Sequence, residues 1–372
     1  MTQTPKHRDI SRELRADIAA GRYAPTDRLP SEPQLVRRFG VSRPTVARAL
    51  RDLQHEGLIE RRAGSGTFVR KSSDAAAATR LLGLLIPGLG TTEIFEVICG
   101  ELASLARVHD YSLLWGGSSQ PRLDTDASID HAEELCRQFI TRRVGGVFFA
   151  PFELTPQQER ANRKFAEMLR QSGIPVVLLD RDIQSFPNRS DFDLVGIDNV
   201  AGGFLLAEHL IKLGCEHIRF VTRPLSAPTV DARIAGAREA LVRHRLEPSP
   251  HWIASGDPAD LKFVRSLIAG RQTDAFICAN DYTAAVLLRS LESAGVRVPR
   301  DVRVVGFDDV KYATLLSVPL TTIHQPCRDI AVIAFRAMME RIAEPTIPAR
   351  SLMLMPRLVV RESCGAYLPR RG

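Results

Sequence analysis

The sequence is poor in the residue types that mark several classes of protein. Its 372 residues include six cysteines and two tryptophans, and aromatic residues make up only 6% of the chain. The cysteines are dispersed without a C-x-x-C pair or a paired His spacing, which favours buried free thiols over a metal site. No apolar run approaches the roughly 18 residues of a membrane span, and no signal-peptide core opens the chain. We therefore expect a cytoplasmic protein that uses no metal, cofactor or membrane.

The positive charge is concentrated at one end of the chain. Residues 1–75 carry fifteen Lys and Arg against nine Asp and Glu, a surplus of six, whereas the whole chain has a net charge of +7. The remaining residues are therefore close to neutral. This asymmetry predicts a polyanionic partner for the first part of the chain and a different task for the rest.

Residues 29–69 have the pattern of two short helices followed by a hairpin. Ser31 and Gln34 form a capping box at the start of the first helix, and Gly40 is a typical helix stop. Ser42 is a second cap, and the helix behind it has an apolar stripe with helical spacing. The residues of that stripe are Val46, Leu50 and Leu53.

The second helix carries arginines away from its apolar stripe. Arg43 lies in the first turn and Arg48 points almost directly away from the stripe, which suits insertion into a DNA major groove. Two basic strands at 59–62 and 67–70 are joined by small residues and form a wing that can approach the DNA backbone. The alternative is a solvated helix pair whose arginines only keep the surface soluble. The ordered set of caps, stripe and basic hairpin favours DNA binding.

Several motifs of this segment resemble the winged helix-turn-helix of the GntR-type bacterial repressors. They occur in order over about residues 5–70, as LPSE from Leu29, GVSRPTV from Gly40 and GSGTFV from Gly64. The resemblance implies operator DNA as a partner. The DNA-binding residues that it implies are Lys6, Glu32, Arg43, Thr45 and Gly66. We add Arg48 because it points away from the apolar stripe. The family usually has a second DNA-reading arginine where this chain has Ala47, so either Arg48 substitutes for it or one base pair is read differently.

From Leu81 onward, apolar runs alternate with amphipathic helical stretches. The runs fall at 81–87, 112–115, 144–150, 174–180, 194–197, 217–222, 274–279 and 302–307. Near-continuous apolar strands separated by helices predict parallel sheets covered on both faces, so the expected fold class is α/β. Eight such units are too many for one compact domain, and we expect two doubly wound parallel-sheet subdomains.

Polar residues follow these runs, at the strand ends where ligands bind in sheets of this kind. The candidates are Thr91, Glu93, Asp180, Thr229, Arg233, Asn280, Asp308 and Gln325. Short polar side chains with one fixed cation suit a polyhydroxylated ligand. Taken singly, Asp180, Asn280 and Asp308 could equally be helix caps or turn residues, and Arg233 a solvated helix residue. The prediction depends on all of them falling at the same rim.

Five motifs in this part resemble the effector domain of the LacI/GalR repressors, which is built like the periplasmic sugar-binding proteins. They are GIDNVAG from Gly196, CANDYTA from Cys278, VPRDVRVVGFDD from Val298, PLTTIHQP from Pro319 and LVVRES from Leu358. The resemblance covers about residues 81–364. It implies an effector held by Thr229, Arg233, Asn280, Asp308 and Gln325, with contributions from Thr91 and Glu93 and, as in some members, from Asp180.

Two departures from this family bear on the ligand. Its Asn-Pro-aromatic segment after the first strand is Thr91-Thr92-Glu93 here, and a position that often carries a ring-stacking aromatic is Pro258. A sugar is still the expected effector. The family normally has its own DNA-binding helices ahead of this domain, and the GntR-type head found here resembles the arabinose-responsive repressors of bacilli. That combination implies L-arabinose as the leading effector.

The expected organisation follows from these patterns. The parts are a winged helix-turn-helix domain at 1–70, a linker at 71–80, an effector-binding and dimerisation domain at 81–364 and a tail at 365–372. The subdomains are expected to combine about 81–197 with 325–350, and 198–324 with 351–364. Two chains are expected to pair through the α/β domains as a homodimer and place two recognition helices about one DNA turn (roughly 34 Å) apart.

Two other functions stay open at this stage. Gly88–Glu93 is a near miss to the dinucleotide-binding G-x-G-x-x-G, so one alternative is an α/β enzyme with a nucleotide cofactor. Against it, Glu93 would place a carboxylate near the pyrophosphate, and Gly116 and Gly117 follow the second strand where an acidic residue is needed. The other alternative is an effector-independent DNA-binding protein with a vestigial pocket.

Overall fold

The computed structural model divides the chain into two compact units, Met1–Ala78 and Thr79–Gly372. The described residues are 6–19, 22–24, 27–55, 58–62, 66–69, 79–86, 93–116, 125–153, 155–271 and 273–368. Most of the predicted linker lies outside these ranges, and its last two residues, Thr79 and Arg80, begin a strand. Of the helices in the described ranges, none is long and apolar enough to cross a bilayer.

The first unit is a three-helix head with a two-stranded wing. Its elements are α1 (Lys6–Ala19), α2 (Glu32–Phe39), α3 (Arg43–His55), β1 (Ile59–Arg62) and β2 (Gly66–Val69). The capping box is confirmed, because the Ser31 backbone N–H donates to Gln34 Oε1 at 2.7 Å. Gly40 ends α2 with a left-handed φ of 61°. The predicted stripe of Val46, Leu50 and Leu53 is buried in the core of this unit.

The second unit alternates strands and helices along the chain. Its helices are α4 (Glu93–Val108), α5 (Thr125–Thr141), α6 (Pro156–Gln171), α7 (Asn199–Lys212), α8 (Pro228–Arg243), α9 (Leu261–Ile268), α10 (Asp281–Ser293) and α11 (Cys327–Ala343). Its strands are β3 (Thr79–Leu85), β4 (Ser112–Trp115), β5 (Val144–Phe149), β6 (Val176–Leu179), β7 (Asp193–Ile197), β8 (Ile218–Thr222), β9 (Ile253–Ser255), β10 (Ala275–Cys278), β11 (Arg303–Val305), β12 (Thr322–His324), β13 (Ser351–Leu354) and β14 (Arg357–Val359). Each predicted apolar run coincides with a strand.

Two parallel sheets organise this unit into two lobes. The first lobe has the strand order β13-β7-β6-β5-β3-β4 and the second has β11-β10-β8-β9. A short antiparallel ribbon of β12 and β14 continues beside them. Strands β5, β6, β7 and β10 are buried along almost their whole length, as strands covered on both faces should be. The α/β fold class is therefore confirmed.

One part of the predicted subdomain boundary is wrong. The sequence pattern assigns residues 351–364 to the second lobe, but β13 pairs in parallel with β7 of the first lobe. This pairing gives β7 a neighbour on a side that would otherwise be an open sheet edge. It is reinforced at Asp193, whose carboxylate accepts from the Arg350 backbone N–H at 2.9 Å and from Arg341 Nη2 at 2.9 Å. The chain returns to the second lobe only at β14.

Candidate DNA-binding surface and effector cleft

The recognition helix α3 has a buried and an exposed side. Val46, Ala49 and Leu50 are buried. Arg43, the first residue of the helix, has a side chain that is 77% exposed, and Arg48 is exposed as well. The Thr45 hydroxyl lies 2.8 Å from the Ser42 hydroxyl at the same end of the helix. The helix therefore presents its N-terminal polar residues away from the core.

Glu32 connects this helix to the wing. Its carboxylate accepts from Arg43 Nε at 3.2 Å and from Arg61 Nη2 of strand β1 at 2.9 Å. Exposed ion pairs of this kind contribute at most about 1 kcal/mol, so both arginines can exchange the carboxylate for a phosphate or a base. Sequence reasoning did not single out Arg61, because its pairing with Glu32 depends on how the wing folds back on α2.

The wing brings a further arginine close to Gly66. Gly66 has a φ of 118°, which residues with a side chain rarely adopt, and it lies against the end of the flexible Arg28 side chain. Arg28 is exposed and its backbone bridges Phe68 of β2.

The backbone of Lys6 begins α1. The half-buried Ala47 precedes the exposed Arg48, which leaves Arg48 as the outward cation in this turn.

In the second unit, polar residues from both lobes converge around Arg233. This side chain is only 5% exposed, although it is an arginine on a helix. Its Nε donates to Asn199 Oδ1 at 2.8 Å and its Nη1 donates to the Ala279 carbonyl at 2.6 Å. Its guanidinium carbon lies 3.6 Å from the centre of the Phe307 ring. Burial lowers the pKa of Arg233 from its ordinary value.

Asp308 completes this cluster from the end of β11. Its Oδ1 lies 3.8 Å from Arg233 Nη2 and accepts from Gln325 Nε2 at 2.7 Å. Burial raises the pKa of Asp308 to about 6, because desolvation outweighs the favourable charge of Arg233. Asp308 also has a φ of 120°, and Asp180 has a φ of 67°. Residues other than glycine rarely adopt such angles, and where they do they are concentrated at functional sites.

Buried polar atoms in this region point to a ligand. Among the described residues, Asp180 Oδ1, Arg181 Nε and Gln325 Oε1 are buried and have no hydrogen-bond partner in the protein. Arg181 Nε lies 3.3 Å from Asp180 Oδ2, which makes an ion pair without hydrogen-bonding geometry. Buried polar groups are nearly always hydrogen-bonded, so these atoms are expected to meet a bound molecule or water.

The remaining predicted effector residues lie at several places around the cleft. Thr229 is buried in the first turn of α8 and shares a cavity with Asp180. Asn280 caps α10 through Oδ1, which accepts from the Thr283 backbone N–H at 2.9 Å. Thr91 lies outside the described residues. Glu93 begins α4 in the first lobe, and its carboxylate accepts from the Lys311 backbone N–H of the second lobe at 3.0 Å.

Glu93 therefore joins the two lobes, which the sequence did not indicate. Asn199 was also missed, although the GIDNVAG motif contains it. Arg181 stands at a strand end, where polar residues were expected, but was not assigned to the ligand. In the described ranges, no three His, Cys, Asp or Glu residues are grouped so as to hold a metal ion.

Comparison with known proteins finds similarities for both parts of the chain. Residues 6–69 match the model of the bacterial regulatory proteins of the gntR family, and residues 207–364 match the periplasmic binding protein-like domain. The first match covers the head, and the second lies within the two-lobed unit. The arabinose metabolism transcriptional repressor of Geobacillus stearothermophilus is 27% identical over 96% of this chain and 97% of its own length. The repressor PurR of Aliivibrio salmonicida is 27% identical over 77% of this chain and 81% of its own length.

Solved structures share the fold of the two-lobed unit. The transcriptional regulator CelR in complex with cellobiose has a TM-score of 0.66 at 22% identity, covering 87% of this chain and 91% of that one. A LacI family regulator from Enterococcus faecium with bound ribose has a TM-score of 0.61 at 22% identity, covering 76% of this chain and 98% of that one.

Proposed function

We propose that this protein is a transcriptional repressor that binds operator DNA as a cytoplasmic homodimer and is released by a small sugar. The observation that carries the proposal is the buried cluster of Arg233, Asp308 and Gln325 in the same chain as an exposed arginine surface on the recognition helix. L-arabinose is the leading monosaccharide, because the repressor from Geobacillus stearothermophilus that aligns over almost the whole chain is named for arabinose metabolism.

The charges of the cleft favour a neutral polyhydroxylated ligand. Two carboxylates, Asp180 and Asp308, face two guanidinium groups, Arg181 and Arg233. Arg181 also pairs with Glu153 at 3.4 Å, so the arginines carry no surplus positive charge. A phosphate would bring an uncompensated charge into a buried site. A sugar offers hydroxyls that donate to the carboxylates and accept from the arginine and amide groups.

The contact of Glu93 with Lys311 supports a mechanism of cleft closure. Because the two residues belong to different lobes, this hydrogen bond stabilises a closed arrangement of the effector domain. A sugar that binds the closed cleft more tightly shifts the equilibrium towards it by its difference in affinity for the two states, typically about 1–3 kcal/mol. In a homodimer, closure would change the spacing of the two recognition helices and weaken operator binding.

The test uses the full chain and an operator selected from a random DNA pool. Operator affinity is measured at one fixed salt concentration, because phosphate contacts make it strongly salt-dependent. The sugars added are L-arabinose, other pentoses and hexoses. We expect one sugar to weaken operator binding by roughly 5–150-fold. The same sugar at about 100 Kd should stabilise the protein by about 2.7 kcal/mol in thermal melting.

Two outcomes would contradict the proposal. If well-folded protein binds DNA but no sugar shifts either measurement, the cleft takes another ligand or none. If a sugar stabilises the protein and strengthens operator binding, the ligand is a co-repressor and the proposed sign of the response is wrong.

A further inference from the structure

Arg28 belongs to the wing in space, although it precedes both helices of the helix-turn-helix pair in the chain. Its backbone forms an antiparallel bridge with β2. On one side of this bridge, the Leu29 N–H donates to the Thr67 carbonyl at 2.9 Å. On the other side, the Val69 N–H donates to the Asp27 carbonyl at 2.8 Å. Strand β2 therefore has a neighbour at each edge, because β1 pairs with it as well.

The side chain of Arg28 lies on the outer face of the wing. Successive residues of a strand point to opposite faces. Ile59 and Val69 oppose each other and are buried in the core of the head, so their face is the inner one. Arg28 opposes Phe68, the neighbour of Val69, and is exposed on the outer face. Gly66 lies two residues from Phe68 and so belongs to that face too.

The guanidinium group of Arg28 reaches along this face to the first residue of β2. A Cβ on Gly66 would lie 2.7 Å from Arg28 Nε and 3.1 Å from Arg28 Nη2. Because Gly66 has no side chain, the guanidinium group can lie directly against the strand. Arg28 thus places its charge at the end of β2 that follows the hairpin connection.

The protein does not use this charge internally. Arg43 and Arg61 share the carboxylate of Glu32. Among the described residues of the head, by contrast, no carboxylate lies within ion-pair distance of Arg28. The carboxylate of its neighbour Asp27 accepts from a backbone N–H of its own turn at 2.7 Å. An exposed cation on a fixed backbone can therefore bind an anion here without losing an existing ion pair.

We propose that Arg28 binds a phosphate of the operator beside the wing, at the position of Gly66. A guanidinium group suits a phosphate because its planar fork can donate two parallel hydrogen bonds. Such a contact carries no sequence information, but it holds the DNA backbone against the wing while α3 occupies the major groove. This inference rests on the proposed function and adds to it a DNA contact outside the helix-turn-helix pair.

The test measures the DNA affinity of full-length Arg28→Ala over a salt series, on the selected operator and on scrambled DNA. Each phosphate contact makes the association constant vary roughly as the inverse of the salt concentration. Arg28→Ala should therefore bind both DNAs about tenfold more weakly at about 0.1 M salt, and its salt slope should be smaller by about one. Arg28→Lys keeps the charge and should keep the slope.

Arg12→Ala is the matched control. Arg12 is an exposed arginine of α1 whose partner is Asp9 of the same helix. Its removal takes away the same charge without a proposed contact, so the salt slope should stay that of the unaltered chain. Thermal melting shows whether each variant is folded. If Arg28→Ala is not, Arg28→Gln removes the charge and keeps a long polar side chain.

Three results would overturn the inference while the sugar-responsive repressor stands. An unchanged affinity and slope in folded Arg28→Ala would show that no phosphate is bound at this position. An equal loss in Arg12→Ala would assign the effect to net charge. A loss on the operator alone, or one that follows the A·T content beside the wing, would make Arg28 a minor-groove reader. If the unaltered chain binds neither DNA, the proposed function fails and the inference fails with it.

Discussion

The candidate DNA-binding surface and the candidate effector cleft use the same kinds of side chain in opposite environments. On the head, Arg43 is 77% exposed and its carboxylate partner Glu32 lies at the surface of the unit. In the cleft, Arg233 is 5% exposed and is held by Asn199, a backbone carbonyl and an aromatic ring. The exposed ion pair leaves Arg43 able to take another partner, whereas the protein itself fixes the position of Arg233.

The energetic consequences of the two environments differ. An exposed ion pair contributes about 0–1 kcal/mol to the free energy of unfolding, whereas removing one member of a buried pair costs about 3–5 kcal/mol. The head can therefore lose an arginine without losing its fold. The same change in the cleft should lower stability, since it leaves the Asp308 carboxyl buried without its cation. Substitutions in the head should change DNA binding without changing stability. Substitutions in the cleft should change ligand binding and stability together.

The largest effect is expected for Arg233→Met. The substitution keeps much of the apolar volume over Phe307 but leaves Asp308 buried without its cation. The free energy of unfolding should fall by about 3 kcal/mol or more, and sugar binding should be lost. Urea unfolding and isothermal titration measure the two effects. Arg238→Met on the exposed side of the same helix is the matched control.

Operator affinity shows whether the effect of Arg233→Met is confined to the cleft. At a temperature where the variant is folded, its DNA binding should match that of the unaltered chain but should no longer respond to sugar. If Arg233→Met is as stable as Arg238→Met and still binds sugar, the cleft is not the preorganised site described above.

A smaller and purely functional effect is expected for Arg43→Ala. The free energy of unfolding should change by less than about 0.5 kcal/mol, because the side chain is exposed. Discrimination between operator and scrambled DNA should fall by about 1–3 kcal/mol if this arginine reads a base.

Arg48→Ala should instead weaken binding to both DNAs and lower the salt slope by about one, as expected for a phosphate contact.

A salt series on both DNAs distinguishes these roles. If Arg48→Ala loses discrimination while Arg43→Ala loses only affinity, the roles are exchanged. Arg48 then performs the base reading of the arginine that is absent at Ala47.

The features that sequence predicted well are those set by neighbouring residues. The Ser31 capping box, the Gly40 stop and the apolar strands each depend on spacings of a few residues. The errors and omissions involve partners far apart in the chain. Strand β13 pairs with β7 across 157 residues, and Glu93 meets the Lys311 backbone across 218. The site at the cleft was predicted as a set of residue types, but the pairing of Arg233 with Asn199 depends on tertiary structure.

The smallest expected effect is a pH dependence confined to the cleft. Asp308 has a pKa of about 6 in the folded protein against an ordinary value of 3.8. A raised pKa means that this carboxyl contributes stability below about pH 4, and that the contribution is lost as pH rises through 6. A sugar hydroxyl that donates to the carboxylate favours its charged form. Sugar binding should therefore release a proton near pH 6 and become tighter between pH 5 and pH 7.5, by up to about tenfold per pH unit below the pKa.

Titrations in two buffers of different ionisation enthalpy measure the proton release directly. Asp308→Asn removes the titrating group, so its sugar affinity should be weaker overall and flat across this range. Arginines do not titrate in this range, so the DNA contacts of Arg43 should keep the same discrimination from pH 5 to pH 7.5. A flat sugar affinity in the unaltered chain, or one that weakens as pH rises, would show that the ligand does not accept Asp308 as a charged partner. The difference between the two surfaces would then lie in burial alone and not in protonation.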